Sequence, residues 1–151
     1  MLSIFDELRT IEIKKDEVDI NFDNTGDRVD RVVHLNAQHP ANLKPARHGH
    51  SVGKWDGETL VIDTVGYDPN ASGLGMNTPA GAGKHTVERL SLTPDKTRLR
   101  YEITIEDPQF LSAPATLTQQ WDHRPDLEFD QDTGACDPEV ASRYKSSVPA
   151  K

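Results

Sequence analysis

A single cysteine, Cys136, stands in this chain of 151 residues, so no intrachain disulfide can form and no zinc site built on several thiolates is available. One cysteine fits a reducing or an oxidising compartment equally well. Aromatic residues are scarce at 6%, and an apolar fraction of 34% is low for a globular domain. A thin core with long polar loops follows, and a homodimer covering some apolar surface is the expectation. No apolar run approaches the ~18 residues that a membrane-spanning helix needs, and residues 1–10 lack the basic, apolar, small-residue order of a signal peptide. Lysine and arginine total 17 against 25 acidic residues, a net charge of −8, and the basic residues are scattered rather than striped. Neither nucleic acid nor membrane is therefore expected as a partner; a small-molecule ligand is.

What is present is alternation. Residues 2–9 carry the one helical signal, with Ser3 as N-cap and Ile4, Phe5 and Leu8 on one side. Val18, Ile20 and Phe22 then alternate with polar residues, Asp23-Asn24-Thr25-Gly26 reverses the chain, and residues 28–35 return as a second strand. Pro40 and Pro45 make residues 36–49 a structured loop. Asp56-Gly57 signals a two-residue type I′ hairpin, which sets Trp55 opposite Glu58, Val52 opposite Val61 and His50 opposite Asp63. Residues 68–84, with four glycines and two prolines, read as an irregular flap. In residues 86–106, a turn around Thr93-Pro94-Asp95-Lys96 pairs Leu92 with Leu99, Leu90 with Tyr101, Glu88 with Ile103 and Arg89 with Glu102. Residues 115–121 form a last strand. No internal repeat or heptad interrupts this order. The expected fold is all-β: an antiparallel meander closing into a small barrel over residues 1–123, with a sandwich as second choice. Residues 124–151 read as an extended tail.

The pairing pattern singles out chemistry. Glu88 falls on an apolar face with Leu90, Tyr101, Ile103 and Ile105, where its carboxylate is either an acid/base group or one half of a structural ion pair with Arg31, or with Arg89 if the strand is bulged. A carboxylate beside an imidazole orients it and stabilises its charged form, which makes His50 and Asp63 a candidate catalytic pair. His85 follows the glycine-rich segment at the rim, and Asp107 is placed to orient a partner there. Arg31, Trp55, Tyr67, Tyr101 and Trp121 are the candidate substrate-binding residues. Four histidines lie within residues 34–50, and His48-Gly49-His50 has the His-x-His form in which alternate strand residues aim two imidazoles at one ion. A divalent metal on His48, His50 and His85 is thus an alternative. Gly81-Ala82-Gly83-Lys84 is no phosphate loop. Gly49-His50-Ser51-Val52-Gly53 matches a nucleophile elbow in letters, but Ser51 lies in a hairpin strand and not at a strand-to-helix turn.

Residues 49–64 form a Gly-His-Ser-x-Gly-x-Trp-x-Gly-x-Thr-Leu-Val-x-Asp-Thr core. With Arg31, His39-Pro40, His85, Glu88-Arg89 and Ile105-Glu106-Asp107-Pro108, it resembles a family of uncharacterised bacterial proteins, many of them exported. The resemblance covers roughly residues 18–121 and implies a periplasmic or extracellular origin without implying an activity. Arg47-His48 stands where that family commonly has an aromatic residue, and the His-Ser expected shortly before the His85 segment is lacking, which points to a different ligand. The functional expectation is a small-molecule enzyme of isomerase, lyase or hydratase type, working by acid/base chemistry without an organic cofactor. In that reading His50→Ala and Glu88→Gln each keep the fold and abolish turnover. The alternatives are a non-catalytic ligand- or carbohydrate-binding β module and a mononuclear His-ligated metalloprotein.

Overall fold

Alternating burial builds the sheet one strand at a time. In β2 (Glu17–Asn24), Val18 and Ile20 are buried, and in β9 (Arg98–Glu106) Tyr101, Ile103 and Ile105 are buried between exposed Arg100, Glu102 and Glu106. The computed structural model describes residues 7–24, 27–75 and 78–126, and among these the chain is all β, without a helix. The other strands are β1 (Glu7–Ile13), β3 (Asp27–Leu35), β4 (His50–Asp56), β5 (Thr59–Val65), β6 (Asn70–Gly75), β7 (Thr78–Ala80), β8 (His85–Leu92) and β10 (Ala115–Asp122). Eight of them form one mixed sheet in the order β1-β2-β3-β4-β5-β8-β9-β10, which curls into a half-barrel; β6 and β7 pair separately. The concave face holds the core of Val18, Ile20, Val33, Leu60, Ile62, Leu90, Tyr101, Ile103 and Ile105.

Four expectations need correction. The helix over residues 2–9 does not extend through its last turn: residues 2–6 lie outside the described residues, and Glu7, Leu8 and Arg9 belong to β1, which pairs with β2. The meander is broken once, because β3 and β4 run parallel, with Val33 opposite Ser51 and Leu35 opposite Gly53. Residues 36–49 are long enough for the return that a parallel neighbour requires. The glycine-rich segment is not wholly irregular, since residues 70–75 and 78–80 pair as β6 and β7, although with a register shift between Asn70 and Gly75. Residues 127–151 of the expected tail lie outside the described residues.

The fourth correction concerns the central hairpin. Asp56 pairs with Thr59, so the loop is Gly57-Glu58, and His50 lies opposite Val65 while Asp63 lies opposite Val52. Gly57 has φ 62° whereas Asp56 does not enter the left-handed region. Glycine therefore takes the first central position, as in a type II′ turn, and the loop moves one residue along the chain. The register moves by two. An even shift keeps every side chain on its face, so His50 and Asp63 still share a side of the sheet, one step apart on the diagonal.

Candidate functional site

Two polar networks occupy opposite faces of the same strands. On the core face, Arg31 of β3 donates from Nη1 and Nη2 to the two oxygens of Glu88, at 2.9 Å for the first contact. Tyr101 donates to Glu88 Oε1 at 2.6 Å. Arg31 also donates from Nε to Ser51 Oγ at 3.0 Å and from Nη2 to Thr64 Oγ1 at 2.8 Å. Glu88 is 1% exposed, so the carboxylate is sealed as well as paired. Burial works against the Arg31 charge, but the facing Glu88 outweighs it and raises the guanidinium pKa; burial and then Glu88 hold the Tyr101 hydroxyl protonated well above its usual range. This is the structural ion pair weighed from sequence. It locks β3 to β8 across the interior, with both carboxylate oxygens engaged.

On the outer face, β4, β5 and β8 bring His50, Asp63 and His85 together, and the 36–49 connection adds His39. His39 donates Nε2–H to Asp63 Oδ1 at 2.9 Å, and His85 donates Nε2–H to Asp63 Oδ2 at 3.0 Å. His39 Nδ1 lies 2.9 Å from His50 Nδ1. The tautomers follow from the carboxylate: with Nε2 of His39 protonated, its neutral ring has a bare Nδ1, which accepts from His50 Nδ1–H. The lone pair on His50 Nε2 then has no partner among the described residues. His34 stacks on His50 with ring centroids 5.1 Å apart and planes at 26°, while His39 meets His50 edge-on at 5.1 Å. Glu106 at the end of β9 approaches His85 Nδ1 at 3.3 Å.

Backbone geometry fixes the head of this chain. Gly49, just before His50, has φ 66°, and a Cβ there would stand 2.7 Å from the Val65 carbonyl oxygen. Only glycine lets the connection enter β4 at that point.

The environment pushes the imidazoles apart. Partial burial, then His39 and His34, lower the His50 pKa below the usual 6.5. At His85 partial burial acts in the same direction, but the hydrogen bonds to Asp63 and Glu106 outweigh it and the pKa rises. For Asp63, burial favours the neutral acid, and the bonds from His85 and His39 more than offset that, so the carboxylate is held ionised to lower pH. The His50 and His85 pKa values are thus displaced in opposite directions, so there is a pH interval in which His50 is neutral while His85 is charged, a division of roles suited to proton transfer.

The remaining expected residues scatter. Glu88 does not share a cavity with His50, Asp63 and His85, because paired residues Ile62 and Glu88 face the core while Asp63 and Val87 face outward. Asp107 is buried and accepts from the backbone N–H of Gly81 at 2.7 Å and of Gln109 at 3.1 Å, which makes it a loop brace. The Tyr67 hydroxyl is bonded to Thr86 inside, whereas Trp55 is 46% exposed. Trp121 packs on Tyr101 with centroids 5.1 Å apart. The four rings make no outer stripe. His48 takes no part in the imidazole chain; burial, then nearby positive charges including Arg47, Arg31 and Lys84, lower its pKa below the usual 6.5. Among the described residues no group of three or more His, Cys, Asp or Glu is arranged to hold a metal ion.

Sequence reasoning missed the roles of His39, His34 and Glu106. The histidine density of residues 34–50 was a signal for the first two, and the register pairing Leu92 with Leu99 reaches His85 opposite Glu106 when continued. Compared with family models, curated proteins and solved structures, the chain gives no match.

Proposed function

We propose that this protein is a small-molecule enzyme of isomerase, lyase or hydratase type, in which His50 Nε2 removes a proton from the substrate. The carrying observation is the chain of contacts from Asp63 through His39 to His50, each at 2.9 Å, which ends in a ring nitrogen with no partner among the described residues. His39 and Asp63 are positioning residues: they set the tautomer of His50 and stabilise the charge it gains, as a carboxylate does behind a catalytic imidazole. His85, tied to Asp63 and Glu106, keeps that carboxylate in place. Glu88 has no part in the chemistry.

The reading is tested without knowing the substrate. A pool of small carbonyl compounds and hydroxy acids is incubated with the protein in deuterated water, and label entering carbon-bound positions is read by mass spectrometry. Wild type labels at least one compound, and His50→Ala loses that labelling by about 100-fold or more. Labelling that survives in His50→Ala, or none at all with wild type, sinks the assignment.

A further inference from the structure

The two edges of the half-barrel enclose a second site, independent of the imidazole chain. Leu8, Ile11 and Ile13 of β1 face Leu92, Leu99 and Trp121 from the opposite end of the sheet, around a cleft of about 770 Å³. That volume is typical of ligand sites. Ile13 and Leu92 are 61% and 55% exposed, large apolar side chains left open to the cleft in a chain with few of them. At the rim, Asp122 is held by Arg98 at 2.7 Å, and Asp126 is held by Arg124 at 2.8 and 2.9 Å. Lys96, also at the rim, has no carboxylate partner among the described residues. A protein with a net charge of −8 thus presents an ammonium, unpaired among the described residues, at the mouth of an apolar trough.

The geometry points to a binding site for a long-chain carboxylate, with its alkyl chain in the trough against Trp121 and its carboxylate on Lys96. The trough supplies hydrophobic burial and Lys96 selects the sign of the head group. Neither feature alone defines the ligand: a neutral alcohol leaves Lys96 unpaired, and a cationic amphiphile meets it with like charge.

The test is titration of the full chain with octanoate, decanoate and dodecanoate, read by calorimetry and by Trp121 fluorescence in a Trp55→Phe background. Binding is expected to saturate at one equivalent and to tighten about four-fold per added methylene. Lys96→Glu weakens dodecanoate by about ten-fold or more, as does Leu92→Glu, whose site is exposed enough to keep the fold. Lys54→Glu, on an exposed lysine away from the cleft, leaves affinity unchanged. Dodecyltrimethylammonium binds wild type at least about ten-fold more weakly than dodecanoate. Absence of saturable binding, or equal affinity in wild type and Lys96→Glu, overturns the proposal. So does a cation that binds as well as the carboxylate.

Discussion

At the scale of the residue, Asp63 and Glu88 show how one side-chain type takes opposite roles on two faces of a sheet. Glu88 accepts from Arg31 and Tyr101 in a closed interior, so Glu88→Gln leaves Arg31 buried without its counter-charge. The expected cost is roughly 3–5 kcal/mol in urea unfolding, and Arg31→Met with Glu88→Leu should regain much of it. A double variant no more stable than the single one would contradict the ion-lock role. Asp63 is partly open and acts on rings. Asp63→Asn presents His39 with an amide, frees it to change tautomer and is expected to slow the reaction by about 10²–10⁴. Nitrogen NMR of the histidine rings would show the tautomer change directly. Unchanged His39 and His50 signals would detach Asp63 from the relay.

At the scale of the element, pairings held together by a local turn were legible in the sequence, and pairings made across a long connection were not. The β8–β9 register is as its Thr93–Lys96 turn implied, from Leu92 with Leu99 to Glu88 with Ile103. The β4–β5 hairpin was anticipated with its faces correct but two residues off, because the sequence Asp56-Gly57 does not say which central position glycine takes. Nothing local announces that β5 pairs with β8, or that β3 lies parallel to β4, since in each case the partner arrives after an excursion. Those two non-local pairings are what separate Glu88 from Asp63 and bring His39 over the outer face. Two substitutions probe the backbone. Gly57→Ala is expected to cost about 1–2 kcal/mol from its left-handed conformation alone. Gly49→Ala adds a 2.7 Å clash with the Val65 oxygen and should cost roughly 3 kcal/mol or more. If urea midpoints rank them the other way, the entry into β4 is less constrained than the geometry implies.

At the scale of the whole molecule, stability should follow three groups in separate pH windows. The Asp63 contribution is present above its ordinary value of 3.8 and fades as pH falls through its lowered folded-state pKa. The His85 contribution is present below its ordinary 6.5 and is lost as pH rises through its raised one. Lys84 acts differently. Burial pushes its amine down to about 8 despite the opposing pull of Asp107, while the Tyr67 ring sits 3.8 Å from Nζ. Folding therefore disfavours its charge, and stability recovers as pH climbs from about 8 toward 10.5. Melting temperatures measured from pH 4 to 10 should rise above pH 8 in wild type and stay flatter in Lys84→Met. A parallel rise in both would assign the effect elsewhere.

Consecutive residues Ile62 and Asp63 belong to different worlds, one dry and one wet, with only a single layer of backbone between them. Deleting one residue from β5 would therefore invert the molecule locally, driving an acid into oil and an isoleucine into water while unhooking both networks together. Trimming a matched pair of residues from its tip would do neither, so length changes in this ribbon should be survivable only in even steps.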